Sequence, residues 1–407
     1  MRKILLAGVA LAAAAAFMPA TANAQATSSP VTVYIGGRLF QGIFPSHSTG
    51  QNDGANKYSN INYPNYFRLY PSADYAAPNG VHYGFSAEIR SNGGVNKTQG
   101  TLYWQRAYGY VTSAKFGSLE FGTPVPVLEK YAVGVNWDYG TGGFDGEYGW
   151  NGANGTPLWL FPDNNDTTTS IQYTTPTYAG FLAAFNFSPS NNNLNSNNQT
   201  TSTSDPFNPA INKYSNRVQG TINYGGTFGA LGLKANVGGQ YSGVVHNTVP
   251  ATAVTAAGEN AVAMSILDAG LAVTYAGVTA EAHVDTGYFG AGWTPLKPHS
   301  SPTTAAIAGL TYTIPNPAIP LAMGAGYYWY QIDANNYTFV AGTAPAAHER
   351  VIFNGAQVGA SYKWVPGVTF FLDGLYGVQR APGGSELVVG NNKVTSYGLG
   401  LGTYFQW

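Results

Sequence analysis

Leu231-Gly232-Leu233-Lys234-Ala235-Asn236-Val237-Gly238-Gly239-Gln240-Tyr241 puts Leu233, Ala235, Val237 and Tyr241 at one parity and Lys234, Asn236 and Gln240 at the other. A helix would return its polar side chains every three or four positions. Here they return every second one, the period of a strand with one apolar and one polar face. The pattern recurs along the chain. In Val31 to Gln41, Val31, Val33, Ile35 and Leu39 oppose Thr32, Tyr34 and Arg38. In Val81 to Arg90, Tyr83, Phe85, Ala87 and Ile89 oppose His82, Ser86, Glu88 and Arg90. Similar stretches begin near Val278 and Ile352. Sixteen strands are expected, centred near 36, 69, 86, 107, 119, 171, 182, 219, 236, 270, 283, 309, 327, 358, 372 and 401, with the register of Leu102 to Val111 ambiguous.

The connections alternate in length. Ala76-Ala77-Pro78-Asn79-Gly80, Gly225-Gly226-Thr227 and Val365-Pro366-Gly367 are short, whereas Phe44 to Tyr63, Ser188 to Asn212, Val244 to Glu259 and Ala334 to His348 are long. Short turns on one rim and long loops on the other are the pattern of bacterial outer-membrane barrels, and an even strand number lets an antiparallel barrel close. The expected fold is therefore all-β: a transmembrane antiparallel barrel.

Composition agrees. Charged residues make up 9% of the chain, against about 25% in ordinary soluble proteins. A wall facing lipid needs few charges, because half of each strand is apolar. At the N-terminus, Arg2 and Lys3 precede the apolar run Ile4 to Met18, and Ala22-Asn23-Ala24 forms an A-x-A cleavage pattern. That is the layout of a secretory signal peptide over residues 1–24, with the mature barrel from Gln25 to Trp407; an uncleaved anchor is the other reading. Removing Arg2 and Lys3 from the 18 bases leaves 16 against 19 acids, a net charge of −3. Such a balance speaks against a nucleic-acid partner, which calls for a basic excess. With no cysteine, no disulfide, iron–sulfur or zinc–thiolate site exists. No cofactor is expected.

The chain ends on alternation as well: Tyr397, Leu399, Leu401, Phe405 and Trp407 share one parity. Closing on an aromatic residue resembles the C-terminal strand by which outer-membrane proteins are recognised for insertion, which makes Phe405 and Trp407 candidates for an assembly signal.

Two segments carry a more specific resemblance. Arg106-Ala107-Tyr108-Gly109-Tyr110-Val111, followed by Lys115-Phe116-Gly117-Ser118-Leu119-Glu120-Phe121-Gly122-Thr123-Pro124, resembles the R-x-A-Y-V-G-L and F-G-T-V-T-L-G-R run of the Gram-negative general porins. Ser170-Ile171-Gln172-Tyr173-Thr174-Thr175-Pro176-Thr177-Tyr178-Ala179-Gly180-Phe181 resembles that family's N-S-V-R-Y-x-S-P-x-F-x-G-F segment, and Val31-Thr32-Val33-Tyr34 its V-T-L-Y opening. The resemblance implies a homotrimeric, water-filled channel embedded in membrane lipid, passing small polar solutes and ions. It departs at two positions. Thr123 stands where the family usually has a base, and Gln172 where arginine is common; both argue against strong anion selectivity.

The resemblance also implies that a long loop folds into the barrel as its constriction. By position this is Thr123 to Asp166, carrying Glu129, Asp138, Asp145, Glu147, Asp163 and Asp166 against one base, Lys130. Lumen-parity Arg38, Arg68 and Arg90, with Arg217 and Lys234 further round, supply the opposite sign. Acids facing bases across a narrow pore create a transverse field that favours small dipolar solutes over apolar ones. Aromatics such as Tyr327-Tyr328-Trp329-Tyr330, Tyr103-Trp104 and Trp364 fit an interfacial girdle. Those within the loop (Trp137, Tyr139, Phe144, Tyr148, Trp150 and Trp159) have two readings: packing against the wall, or stacking on neutral sugars.

Enzymatic motifs are missing. The histidines show neither H-E-x-x-H spacing nor a triad order, and Gly140-Thr141-Gly142-Gly143 precedes no helical pattern that would cradle phosphate. Glu281, His283 and Asp285 share one strand face, where they read either as a polar lumen wall or as a cation site. A secreted β-sandwich that binds carbohydrate or acts as an adhesin, and an outer-membrane lipid-modifying enzyme, are the alternatives from other classes.

Overall fold

A computed structural model describes residues 31–49, 61–92, 101–136, 138–143, 168–190, 214–244, 262–290, 296–337, 339, 348–387 and 390–407. The strands are β1 (Val31–Ser48), β2 (Ile61–Asn62), β3 (Asn65–Ala76), β4 (Val81–Asn92), β5 (Thr101–Ser113), β6 (Gly117–Gly122), β7 (Ser170–Thr174), β8 (Phe181–Ser190) and β9 (Tyr214–Phe228). They continue as β10 (Leu231–Val244), β11 (Met264–Tyr275), β12 (Val278–Tyr288), β13 (Thr303–Thr313), β14 (Leu321–Asp333), β15 (Arg350–Val365), β16 (Val368–Arg380) and β17 (Lys393–Gln406). The two-residue β2 continues the line of β3 alongside β1, through Phe44↔Asn62 and Pro45↔Ile61. The wall therefore has sixteen strands, and every expected centre falls inside one.

Each strand pairs antiparallel with the next, and β17 returns to β1 from Arg38↔Gln406 to Ser48↔Ser396. The sheet thus closes on itself, which excludes the two open sheets of a sandwich. Trp407 finishes the seam: its N–H donates to the Gly37 carbonyl, and its own carbonyl accepts from the Gly37 N–H, at 3.1 and 3.0 Å. Its indole lies where a Cβ on Gly37 would stand.

The two parities separate as the alternation requires. On β10 and β11, Val237, Leu267 and Leu271 are exposed, while Asn236, Gln240 and Asp268 are buried. Outward apolar side chains meeting lipid and inward polar ones are how a barrel spans hydrocarbon with every ladder bond made internally. Among the described residues no helix is long and apolar enough to span a membrane.

Two local expectations are corrected and one ambiguity is resolved. Gly225-Gly226-Thr227 is not a turn: Gly225 and Gly226 pair with Lys234 and Leu233 inside the β9–β10 ladder. The reversal comes after Phe228, where Gly229 has a φ of +63° that a glycine adopts without strain. Tyr328 and Tyr330 point inward and are buried with Phe353, Phe289 and Ile307, so only Tyr327 and Trp329 of the run are placed for a girdle. On β5, Glu88 pairs with Arg106 but Ile89 with Trp104, which leaves Gln105 as the extra residue of a β-bulge. The bulge switches parity within β5, the physical source of the ambiguous register there.

Candidate functional site

The segment after β6 enters the barrel. Thr123 is buried, and Val127–Lys130 forms a single helical turn, α1. Val127 and Tyr131 pack on Ala184 of β8 and against Leu182. From there the chain follows the inner wall strand by strand. Asn223 of β9 donates to the Tyr131 carbonyl, and Val133 N donates to Asn236 Oδ1 of β10 at 3.1 Å. The Val133 carbonyl meets His283 Nδ1 of β12 at 2.7 Å. Asn136 Nδ2 donates to the Ala325 carbonyl of β14 at 3.3 Å. Thr141 N reaches Asp373 Oδ2 of β16 at 2.9 Å, and its carbonyl accepts from Tyr404 Oη of β17 at 3.2 Å. The loop thus lines the wall from β8 to β17 and narrows the lumen.

Glycines make this close approach possible. A Cβ on Gly270 would stand 1.8 Å from the Val133 carbonyl, and one on Gly324 2.1 Å from the Tyr139 ring. Tyr139 is consequently 1% exposed. It is a packing residue, and its ring is not presented to a sugar.

On β1, β3 and β4 the predicted arginines meet. Arg38 of β1 lies directly across from Arg68 of β3, and Arg68 from Arg90 of β4. Three guanidiniums in a row repel one another, and two kinds of contact offset this. Arg38 lies 3.9 Å from the centroid of the Tyr404 ring and Arg68 4.3 Å from that of Tyr66, distances at which an aromatic face attracts a cation. Glu88 reaches Arg90 at 2.6 Å, Arg68 at 3.6 Å and Arg106 at 3.8 Å. Arg106 also reaches Glu129 of α1 at 3.4 Å, so one side chain joins the basic row to the loop.

Arg106 was not among the sequence candidates. It lies beside the Gln105 bulge, where parity counting fails. Glu88 had the right parity, but its role emerges only from the three arginines around it. Of the loop acids, Glu129 joins the row and Asp138 is exposed; Asp145, Glu147, Asp163 and Asp166 lie outside the described residues. Arg217 is buried on β9 and donates to Thr168 Oγ1, and Lys234 is exposed on β10. The structure brings neither into the arginine row. Gln172, at the position where the family often has arginine, donates to Glu120, which also pairs with Lys130. Burial opposes the Lys130 charge, but Glu120 beside it outweighs this and keeps its pKa above the ordinary lysine range.

A barrel with an inward loop facing an arginine row is the geometry the sequence resemblance implied. The chain matches the Gram-negative porin family over residues 10–381.

The chain belongs to that family.

Solved structures share the fold at low identity. An anion-selective porin from Comamonas acidovorans is 14% identical, with a TM-score of 0.55, over 93% of this chain and 100% of that one. A loop-deleted OmpT, an outer-membrane protein of Vibrio cholerae, is 13% identical with a TM-score of 0.57 over 93% and 100%. The outer-membrane channel DcaP of Acinetobacter baumannii is 13% identical with a TM-score of 0.56 over 94% and 99%. Among curated protein sequences, none matches the chain significantly. The porin is an outer-membrane channel.

Proposed function

We propose that this porin lets small hydrophilic solutes and ions diffuse passively through an eyelet with Arg38, Arg68, Arg90 and Arg106 on one side and the loop acids on the other. The observation that carries the reading is the in-register row of Arg38, Arg68 and Arg90 on β1, β3 and β4. Glu88 and Glu129 stand among these arginines, so opposite charges meet there. The transverse field they create favours dipolar solutes over apolar ones. The porin works as a channel and not as an enzyme.

A planar-bilayer recording under a potassium chloride gradient tests this. We expect Arg68→Gln to shift the reversal potential toward cations relative to the wild type; no shift in dilute salt would overturn the assignment of the arginine row to the eyelet.

Export by a cleaved segment 1–24 and assembly as a homotrimer in membrane lipid belong to the same proposal. So does recognition of Phe405 and Trp407 during insertion. Deleting Trp407 removes the two backbone bonds to Gly37 and should lower the amount of folded porin in the outer membrane severalfold. The conductance of the surviving channels should be unchanged. Normal outer-membrane levels would refute the assembly role.

A further inference from the structure

Asp268 of β11 and Asp285 of β12 stand directly opposite each other in the ladder, both facing inward. Each is 0% exposed. His283, two residues before Asp285 on the same face, brings Nε2 to 3.0 Å from Asp268 Oδ2 and 3.6 Å from Asp285 Oδ1. One donor atom from each of the three lies within 4.8 Å of the others. Two like charges facing each other across a ladder destabilise it, and a buried carboxylate without a donor is costlier still. Asp268 Oδ1 accepts a hydrogen bond from Asn236 Nδ2. Neither oxygen of Asp285 accepts one from any described residue. The imidazole is fixed in place as well. Its Nδ1 lies 2.7 Å from the Val133 carbonyl; a carbonyl only accepts, so Nδ1 carries the hydrogen and Nε2 faces the two carboxylates.

We propose that Asp268, His283 and Asp285 bind a divalent transition-metal ion of the zinc type. Charge balance supports this. Two carboxylates and a neutral imidazole sum to −2, which a divalent ion cancels, whereas a proton on Nε2 leaves one negative charge uncompensated within the triad. The spacing supports it too. Nitrogen and oxygen ligands about 2.0–2.2 Å from a tetrahedral zinc ion stand about 3.4 Å apart, between the two observed distances of 3.0 and 3.6 Å. The imidazole nitrogen selects against calcium and magnesium, which prefer oxygen-only shells. A liganding histidine is commonly held by a hydrogen bond from its other nitrogen to a carbonyl. Here that carbonyl belongs to the constriction loop, so the ion fastens β11 and β12 to the loop.

The test uses porin from cells grown with added zinc, extracted in detergent, incubated with Zn²⁺ and freed of excess ion by gel filtration. We expect about one zinc per chain by elemental analysis, and no retention of calcium or magnesium after the same treatment. Asp285→Asn should retain at least tenfold less zinc. His82→Gln, in the partly exposed His82–Asp74 pair, should retain the wild-type amount. Wild-type porin without zinc, or Asp285→Asn with the wild-type content, overturns the site; the former is what a protonated His283 in a metal-free triad predicts. Heat-modifiable gel mobility reports whether Asp285→Asn has folded. If it has not, X-ray absorption of the zinc-loaded wild type decides. One imidazole nitrogen among oxygen ligands supports the site, and no imidazole, or two or more, overturns it.

Discussion

Two halves of one wall follow the same inward parity and put it to different uses. On β3 and β4, Arg68 and Arg90 keep 18% and 15% of their side-chain surface. On β11 and β12, Asp268, His283 and Asp285 keep none and lie beneath the loop. An inward position in a barrel is thus not yet a pore-lining position. What separates the two is whether a second layer covers it, and that is decided by contacts such as Val133 to Asn236, 103 residues apart. Charge that keeps some surface is placed to act on solutes, and charge beneath the loop to act on the loop.

The largest expected effect comes from removing that second layer. Deleting residues 140–150 eliminates the Thr141 bonds to Asp373 and Tyr404 and uncovers the late strands. Single-channel conductance should then rise severalfold at every salt concentration, because a steric restriction does not depend on ionic screening. The cutoff for sugars in a swelling assay should move to larger molecules. Conductance and cutoff near wild type would show that the loop does not set the narrowest point, and the contrast between the halves would lose its functional meaning.

A second prediction tests the parity on which both halves depend. Val237 is 51% exposed on the lipid side, and Val237→Arg should cost about 2–4 kcal/mol, as a charge at mid-membrane does. Lys234→Gln, on the lumen side of the same strand, should stay within about 0.5 kcal/mol. Denaturant unfolding in detergent measures both, and equal penalties would mean that β10 is turned the other way.

That parity was legible in the sequence because it needs only one strand at a time. Lys234, Asn236 and Gln240 alternate with Leu233, Ala235 and Val237 whatever their neighbours are. The arginine row was half legible. Arg38, Arg68 and Arg90 announced their inward parity, but their alignment depends on a pairing register that no single strand contains. Arg106 was hidden by Gln105, because one extra residue in a strand leaves no mark on composition and reverses everything beyond it. The aromatic run from Tyr327 to Tyr330 suggested the girdle, but alternation sends every second ring inward, where Tyr328 and Tyr330 join the buried cluster. The triad of Asp268, His283 and Asp285 was legible only as far as its β12 members. Asp268 enters from the neighbouring strand.

The smallest effect is the one that isolates the arginine row. Arg68 stands between Arg38 and Arg90 in the row and shares Glu88 with Arg90 and Arg106. Arg68→Gln removes one positive charge but leaves the strand, the loop and nearly all of the side-chain volume in place. Ions passing the row feel that charge through water, and its field is screened over about 10 Å at 0.1 M salt and about 3 Å at 1 M. The reversal potential should therefore shift toward cations by several millivolts in dilute salt, the shift shrinking toward zero at 1 M. The sugar cutoff should not change. A change in cutoff without a change in selectivity would make Arg68 a steric element of the wall. A shift that persisted undiminished at 1 M would mean the charge is sheltered from the electrolyte, and the two halves would then differ less than their exposures imply.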